Sequence, residues 1–227
     1  MLPVPVSLLI GGAVTSGHAC TFAKFATAEH CRSRQPRVAI ARREELNLRA
    51  LERLHAFRRE VFVDRLNWHL PLLDGTERDQ FDRDDTVYFT RAGERQEEIT
   101  ACARLLPTLS GSYMLPEVLP ELLGDVPAPR DHKVWELSRF ASRLRAVRPG
   151  GGLSLSQPTL DLLASVFEFA NGYGVERLVL ATSLPLERLL MREGLGIRRM
   201  APPAKMNGRA YVALYMDVPT SSINPSR

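Results

Sequence analysis

Apolar residues recur along this chain at two different periods. Residues 37–41 read as a short strand. Over 43–65, Leu51, Leu54, Val61 and Phe62 return at helical spacing and predict an amphipathic helix. The stretch "HLPLLDGT" breaks that pattern with Pro71 and Gly75. Strands are expected at 86–91 and 98–106, joined by a turn around Gly93. Residues 107–131 are loop-rich, with Pro107, Gly111, Pro116, Pro120, Pro127 and Pro129, and leave room for a short helix near 117–123. A strand at 133–141, a flexible "RAVRPGGG" connection and a helix at 154–171 ending at Asn171-Gly172 follow. The last elements are a strand at 176–183, a helix at 185–194 closed by Gly194, and a strand at 208–218.

Strands alternating with helices in the second half imply an α/β layered sheet with helices on both faces. A doubly wound nucleotide binder and an acyltransferase-type mixed sheet both fit that order. No GxGxxG follows a strand and no GxxxxGK[ST] occurs, so the first lacks its phosphate-cradling loop. The length of 227 residues suits one domain. Residues 37–218 are expected to form it, with 1–36 a poorly ordered extension and 219–227 a flexible tail.

The net charge of +4 is uneven: residues 1–37 carry +3, residues 74–98 carry −5 and residues 185–209 carry +4. Such a bipolar surface argues against a general nucleic-acid binder. Cys20, Cys31 and Cys102 form no CxxC pair and no His/Cys cluster with metal spacing, so free thiols, a reducing compartment and no metal are expected. The apolar "LPVPVSLLIGGAV" is too short to span a bilayer, and no Lys or Arg precedes Lys24 as a secretory signal requires. A cytoplasmic protein is the reading that remains.

Several charges sit where apolar residues belong. Arg58 lies on or beside the helical stripe, free to snorkel or to be buried; Arg104 lies inside "TACARLLPT"; Glu136 and Arg139 lie inside "VWELSRFA". Buried charges are paired or bind something. The acidic run "ERDQFDRDD" supplies Glu77, Asp79, Asp82, Asp84 and Asp85 as counter-charges. A binding site and a purely structural ion-pair network both fit this set.

In order along the chain stand Arg58-x3-Phe62-x5-Trp68, then Asp79-x2-Asp82, then Arg104 in "CARLLPT", then Glu136 and Arg139 in "WELSRF". This ordered set resembles the LuxI-type acyl-homoserine-lactone synthases over roughly residues 37–218. The resemblance implies a mixed, V-shaped sheet flanked by helices, similar to the GCN5-related N-acetyltransferases. It implies that an acyl chain passes from acyl-carrier protein to the amine of S-adenosylmethionine, which is a substrate rather than a cofactor. Lactonisation with release of methylthioadenosine would follow.

In that reading Glu136 is the candidate general base, with Asp79 next. Arg58 or Arg104 suits the substrate carboxylate, and Asp79 and Asp82 its cationic parts. Phe62 and Trp68 wall the nucleoside or sulfonium, and Ser138 and Arg139 complete the site. Glu77, Asp84 and Asp85 are expected to be solvated. Leu180 stands where family members with Thr prefer 3-oxo chains and so leans to unsubstituted or 3-hydroxy chains. The basic Arg188, Arg192, Arg198, Arg199 and Lys205 would dock the acidic carrier. A GCN5-like acetyltransferase using acetyl-coenzyme A is the alternative, with "RPGGG" as its phosphate loop. A lactone-sensing regulator would need a helix-turn-helix, which the core lacks. One geometric condition follows: in a regular strand Glu136 and Arg139 point to opposite faces, so a shared pocket requires a bulge between them.

Overall fold

The computed structural model describes residues 8–10, 38–66, 68, 70, 72–93, 98–143, 146–147, 153–206 and 208–220. The rest of the expected extension 1–36, and residues 221–227 of the expected tail, lie outside the described residues. The strands are β1 (Leu8–Ile10), β2 (Val38–Arg42), β3 (Leu72–Leu73), β4 (Thr76–Glu77), β5 (Val87–Ala92), β6 (Ile99–Pro107), β7 (Val134–Ser142), β8 (Ala146–Val147), β9 (Leu153–Ser154), β10 (Arg177–Ser183), β11 (Ile197–Arg199), β12 (Ala204–Met206) and β13 (Arg209–Asp217). The helices are α1 (Leu48–Arg58), α2 (Met114–Val118), α3 (Gln157–Gly172) and α4 (Leu184–Arg192).

The main sheet runs β11-β13-β10-β7-β6-β5-β2, with β12 on β13 and the short β1 parallel to β7. All its other neighbours are antiparallel except β7 and β10. Those two pair in parallel only from Val134–Glu136 to Arg177–Val179, after which they part. That divergence is the V of the expected fold class.

Alternation along the strands sorts the core into two sides. Val87, Phe89, Ala103, Leu105, Leu137, Leu178, Leu180 and Leu214 pack with Leu162, Val166 and Phe167 of α3 and Leu189 and Leu190 of α4. From the other side, Tyr88, Cys102 and Ala141 meet Leu51, Leu54 and Phe57 of α1 together with Val61 and Phe62. Leu106, Val179 and Ala181 meet Met114 and Leu115 of α2 on that side too.

The helix expected over 43–65 is three pieces. Arg43–Glu45 is a 3₁₀ turn, and Asn47 then caps α1, its side chain accepting from Ala50 N at 2.9 Å. After Arg58 the helix widens into a π-helical stretch, Arg59–Arg65. The break at Pro71 and Gly75 contains a hairpin, β3–β4, turned by Asp74 (φ 50°) and Gly75 (φ 73°). Two left-handed residues in succession suit a two-residue hairpin turn, and Asp-Gly is a dipeptide that tolerates it. Its last residue is Glu77, so the turn aims the acidic run at the sheet.

Leu214 is fully buried between the sheet and the α3/α4 layer. Leu214→Ala should cost about 2–5 kcal/mol of unfolding free energy, measured by urea denaturation. A loss under about 1 kcal/mol would mean that this layer is loosely packed.

Candidate active site

Arg58, Arg104 and Arg139 are each at most 2% exposed and converge on Glu77, Asp79 and Asp82. Arg58 Nε donates to Glu77 Oε2, and its Nη1 to Asp82 Oδ1 at 2.7 Å. Arg104 Nη1 donates to Asp79 Oδ1 at 2.6 Å and Asp82 Oδ1 at 3.1 Å, while its Nε donates to Ser138 Oγ at 3.0 Å. Arg139 Nη2 donates to Glu77 Oε1 at 2.9 Å and Asp79 Oδ2 at 2.7 Å. Three positive and three negative groups cancel, which makes their shared burial tolerable.

The acidic run folds around this cluster. Asp79 Oδ1 accepts from Phe81 N at 2.9 Å, and Asp82 Oδ2 from Asp79 N at 2.9 Å. Tyr88 OH donates to Asp82 Oδ1 at 2.6 Å. Glu77, expected to be solvated, is 1% exposed and joins Arg58 to Arg139; the hairpin turn, not local composition, put it there. Asp84 is exposed, and Asp85 pairs with Arg83 at 2.9 Å. Asp79 and Asp82, offered by the sequence to a cation, are engaged by the protein's own donors. Of the three carboxylates only Asp79 keeps appreciable exposure, 12% of its side chain.

Arg139 reaches the cluster through a bulge. On β6 and β7, Arg104 faces Ser138 but Cys102 faces Ala141, so Arg139 and Phe140 together oppose one residue. Arg139 adopts φ 49°, a left-handed conformation. Glu136, Ser138, Arg139 and Ala141 therefore share one side, while Leu137 and Phe140 enter the α3 core. The guanidinium of Arg139 lies 5.6 Å from the Phe62 ring centre, and Phe62 stacks on Trp68 at 5.0 Å. The π-helical stretch supports this: Trp68 N donates to Phe62 O at 3.0 Å. Phe81 lies under Arg104 at 5.7 Å. Neither Phe81 nor Tyr88 was singled out by the sequence; Tyr88 is signalled only by its alternation with the apolar Val87 and Phe89.

Glu136 stands apart from the ion pairs. Its Oε2 accepts from Met114 N at 3.1 Å and its Oε1 from Leu115 N at 2.8 Å, at the start of α2. Burial pushes its carboxyl up to about 7, against the pull of Arg104 and the two N–H groups. Burial opposes ionisation of Asp79 too, but Arg104 and Arg139 outweigh it and hold the group at about 2. Asp82 and Glu77 are likewise held below the usual carboxylate range by their arginines. Arg58 Nη2 and Arg104 Nη2 are buried and make no hydrogen bond among the described residues. Arg58 Nη2 lies 3.9 Å from Asp79 Oδ2, and the Arg104 charge acts on Glu136. Guanidinium donors left without a hydrogen bond suit an anionic group, and a carboxyl that titrates near neutrality can accept a proton.

Two groups of candidates lie elsewhere. Leu180 is fully buried on the α3/α4 side of the sheet, opposite the cluster. Arg188 and Arg192 are exposed on α4, Arg198 and Arg199 on β11 and Lys205 on β12. Arg199 forks onto Glu187 at 2.6 and 2.8 Å, and Arg198 lies 4.8 Å from the Tyr215 ring centre.

A family profile described as "Autoinducer synthase" matches residues 42–224. An acyl-homoserine-lactone synthase from Ralstonia solanacearum is 44% identical over 168 residues, 73% of this chain and 81% of the relative. The structure of TofI in a ternary complex with an inhibitor and MTA is similar at TM-score 0.67 and 37% identity, covering 80% of this chain and 91% of that one. At lower identity the fold alone is shared: with BjaI, described as a CoA-dependent acyl-homoserine lactone synthase (22%, TM-score 0.68, covering 82% of this chain and 85% of that one), and with Escherichia coli ElaA (15%, TM-score 0.54, covering 80% and 99%).

Opposite shifts predict opposite pH slopes. Asp79 has its carboxyl lowered from 3.8 to about 2, so its stabilisation is present above the unfolded value and lost as pH falls toward about 2. Glu136 is raised from 4.5 to about 7, so stability declines as pH rises through that interval. Urea midpoints taken across pH should show both limbs, and Glu136→Gln should flatten only the second. An unchanged second limb in the variant would assign it to another group.

Proposed function

The chain belongs to the autoinducer synthase family and is an acyl-homoserine-lactone synthase, an acyltransferase; from that premise we propose that it acylates the amine of S-adenosylmethionine with a chain carried by acyl-carrier protein. The observation that carries the substrate reading is the pair of buried donors without a hydrogen bond among the described residues, Arg58 Nη2 and Arg104 Nη2, together with the near-neutral carboxyl of Glu136, on which the Arg104 charge acts. A guanidinium fork suits the amino-acid carboxylate. The ring of Phe62 or Trp68 suits a sulfonium. Asp79, the partly exposed carboxylate, is the group of the cluster open to the substrate's positive end.

In this reading the ammonium gives a proton to Glu136, whose value near 7 makes it an acceptor at neutral pH. The freed amine attacks the thioester carbonyl, the tetrahedral intermediate collapses with cleavage of the thioester C–S bond, and the second nitrogen proton passes to the departing carrier thiolate, which leaves as the thiol. The amino-acid carboxylate then attacks its own γ-carbon. The C–S bond breaks, methylthioadenosine departs with the bonding electrons, and the sulfonium charge is neutralised. Arg104 lies 3.0 Å from Ser138 and pairs with Asp79, so one side chain holds both flanks of the site. In the same reading the acyl chain would reach Leu180, which is buried in the apolar α3/α4 core; the parting of β7 and β10 after Val179 supports this. Cytoplasmic placement follows from where such substrates are made.

Glu136→Gln should lower kcat by about 10²-fold or more while the KM for S-adenosylmethionine changes little. In the parent enzyme kcat should rise with pH through about 7, because the base must be ionised, and the variant should lose that inflection. A normal profile in the variant moves the base to Asp79.

Carrier docking on the exposed basic residues gives a separate expectation. Surface charges are screened within about 8 Å at physiological ionic strength, so the KM for acyl-carrier protein should climb with salt. Arg188→Glu with Arg192→Glu should raise that KM and leave that for S-adenosylmethionine unchanged. If acyl-coenzyme A serves as well as the acyl-carrier protein and neither KM moves, the donor assignment fails.

A further inference from the structure

The left-handed bulge that brings Arg139 to the cluster is held by a neighbour with no assigned part in the reaction. Cys102 is 1% exposed, on the same side of β6 as Arg104, among Phe62, Tyr88 and Ala141. Its Sγ lies 3.2 Å from the carbonyl oxygen of Arg139 and donates its proton there. We propose that Cys102 is a positioning residue: its thiol holds the backbone of Arg139 in the bulge and thereby aims that guanidinium at the substrate site.

Three independent features of the geometry support this. First, the residue whose carbonyl accepts from the thiol is the strained one. Among the described residues only Asp74 and Arg139 are non-glycine with positive φ, and Asp74 sits in a hairpin turn where that conformation is ordinary. A left-handed arginine within a strand persists only where its surroundings hold it. Second, the β6–β7 register slips between Cys102 and Arg104, so the thiol stands at the edge of the irregular step. Third, the side chain of Arg139 is restrained at several points: Glu77, Asp79, the Met114 sulfur at 3.4 Å and the Phe62 ring. The thiol adds a restraint on the backbone itself. Burial pushes the Cys102 thiol up to about 12, so it stays protonated and able to donate at neutral pH. A buried, protonated thiol of this kind is a poor nucleophile, which separates this role from a catalytic one.

This inference deepens the proposed reading, since it rests on Arg139 serving the S-adenosylmethionine site. A plain packing role makes the opposite prediction for a simple series of variants. Cys102→Ser keeps a γ donor but loses apolar volume; Cys102→Val keeps apolar volume and loses the donor. Cys102→Ala is close to Ser in size and has no donor, so it serves where Val distorts the core. The expected result is a KM for S-adenosylmethionine within about twofold of the parent for Ser, and raised about three- to fivefold for Ala and Val, as loss of a modest hydrogen bond implies. Melting temperatures report packing alone and should order the variants differently, with Val above Ser. Equal KM values for Ser and Ala, or Val matching the parent, overturns the assignment. Calorimetric titration of S-adenosylmethionine into the parent enzyme separates the two levels. No binding there defeats the substrate reading and this inference with it, whereas parent-like binding by Cys102→Ala defeats only the role of the thiol.

Discussion

Six charged side chains share one buried volume, and the conformations around them follow from that fact. Guanidinium and carboxylate groups lose several kcal/mol each on leaving water, and the loss is recovered only when donors and acceptors meet with good geometry. Arg58, Arg104 and Arg139 meet that condition with Glu77, Asp79 and Asp82, and among the described residues with no other carboxylate at ion-pair distance. Arg104 enters from within β6, and elsewhere the chain turns, bends or ends a helix where one of these residues is brought in. A hairpin delivers Glu77, turns within the acidic run deliver Asp79 and Asp82, a bulge delivers Arg139, and the end of α1 delivers Arg58.

The sheet makes such irregularity affordable. Its α3/α4 side is an apolar layer of leucine, valine and phenylalanine, and it fixes β5, β6, β7 and β10 in place. The other side can then carry polar groups at high density, because the strands beneath cannot shift to relieve them. Groups held this firmly act on a substrate with little reorganisation, which is where most electrostatic catalysis originates. The cluster is a frame for Glu136 and for the unfilled donors as much as it is a binding surface. Asp82, filled from every side, belongs to the frame; Asp79, partly exposed, belongs to both.

The longer strands β5, β6, β7, β10 and β13 and the helices α3 and α4 were legible from periodicity and apolar runs, whereas the two- and three-residue strands β1, β3, β4, β8, β9, β11 and β12 are too short to repeat and were not. The site was legible where a charge interrupted an apolar run: Arg104, Glu136 and Arg139 stood out for that reason, and the need for a bulge between the last two followed from strand parity alone. Glu77 was not legible, because nothing local in "ERDQFDRDD" separates it from Asp84 and Asp85, which stay outside the cluster. The Asp74-Gly75 dipeptide was the available signal, and it read only as a break. Tyr88 and Phe81 looked like ordinary core residues until their partners, distant in sequence, were brought beside them.

The sequence by itself determined which residues are apolar on which face, and so the layers, the family and most of the charges that must be buried together. Only the tertiary structure decided which carboxylate answers which arginine, that Leu180 lies across the sheet from them, and that Glu136 stays out of the ion pairs to titrate near 7. Periodicity is a local property, carried by residues three or four positions apart. Ion-pair choice and desolvation depend on distances between residues many positions apart, such as Arg139 and Glu77, and those distances exist only once the chain has folded.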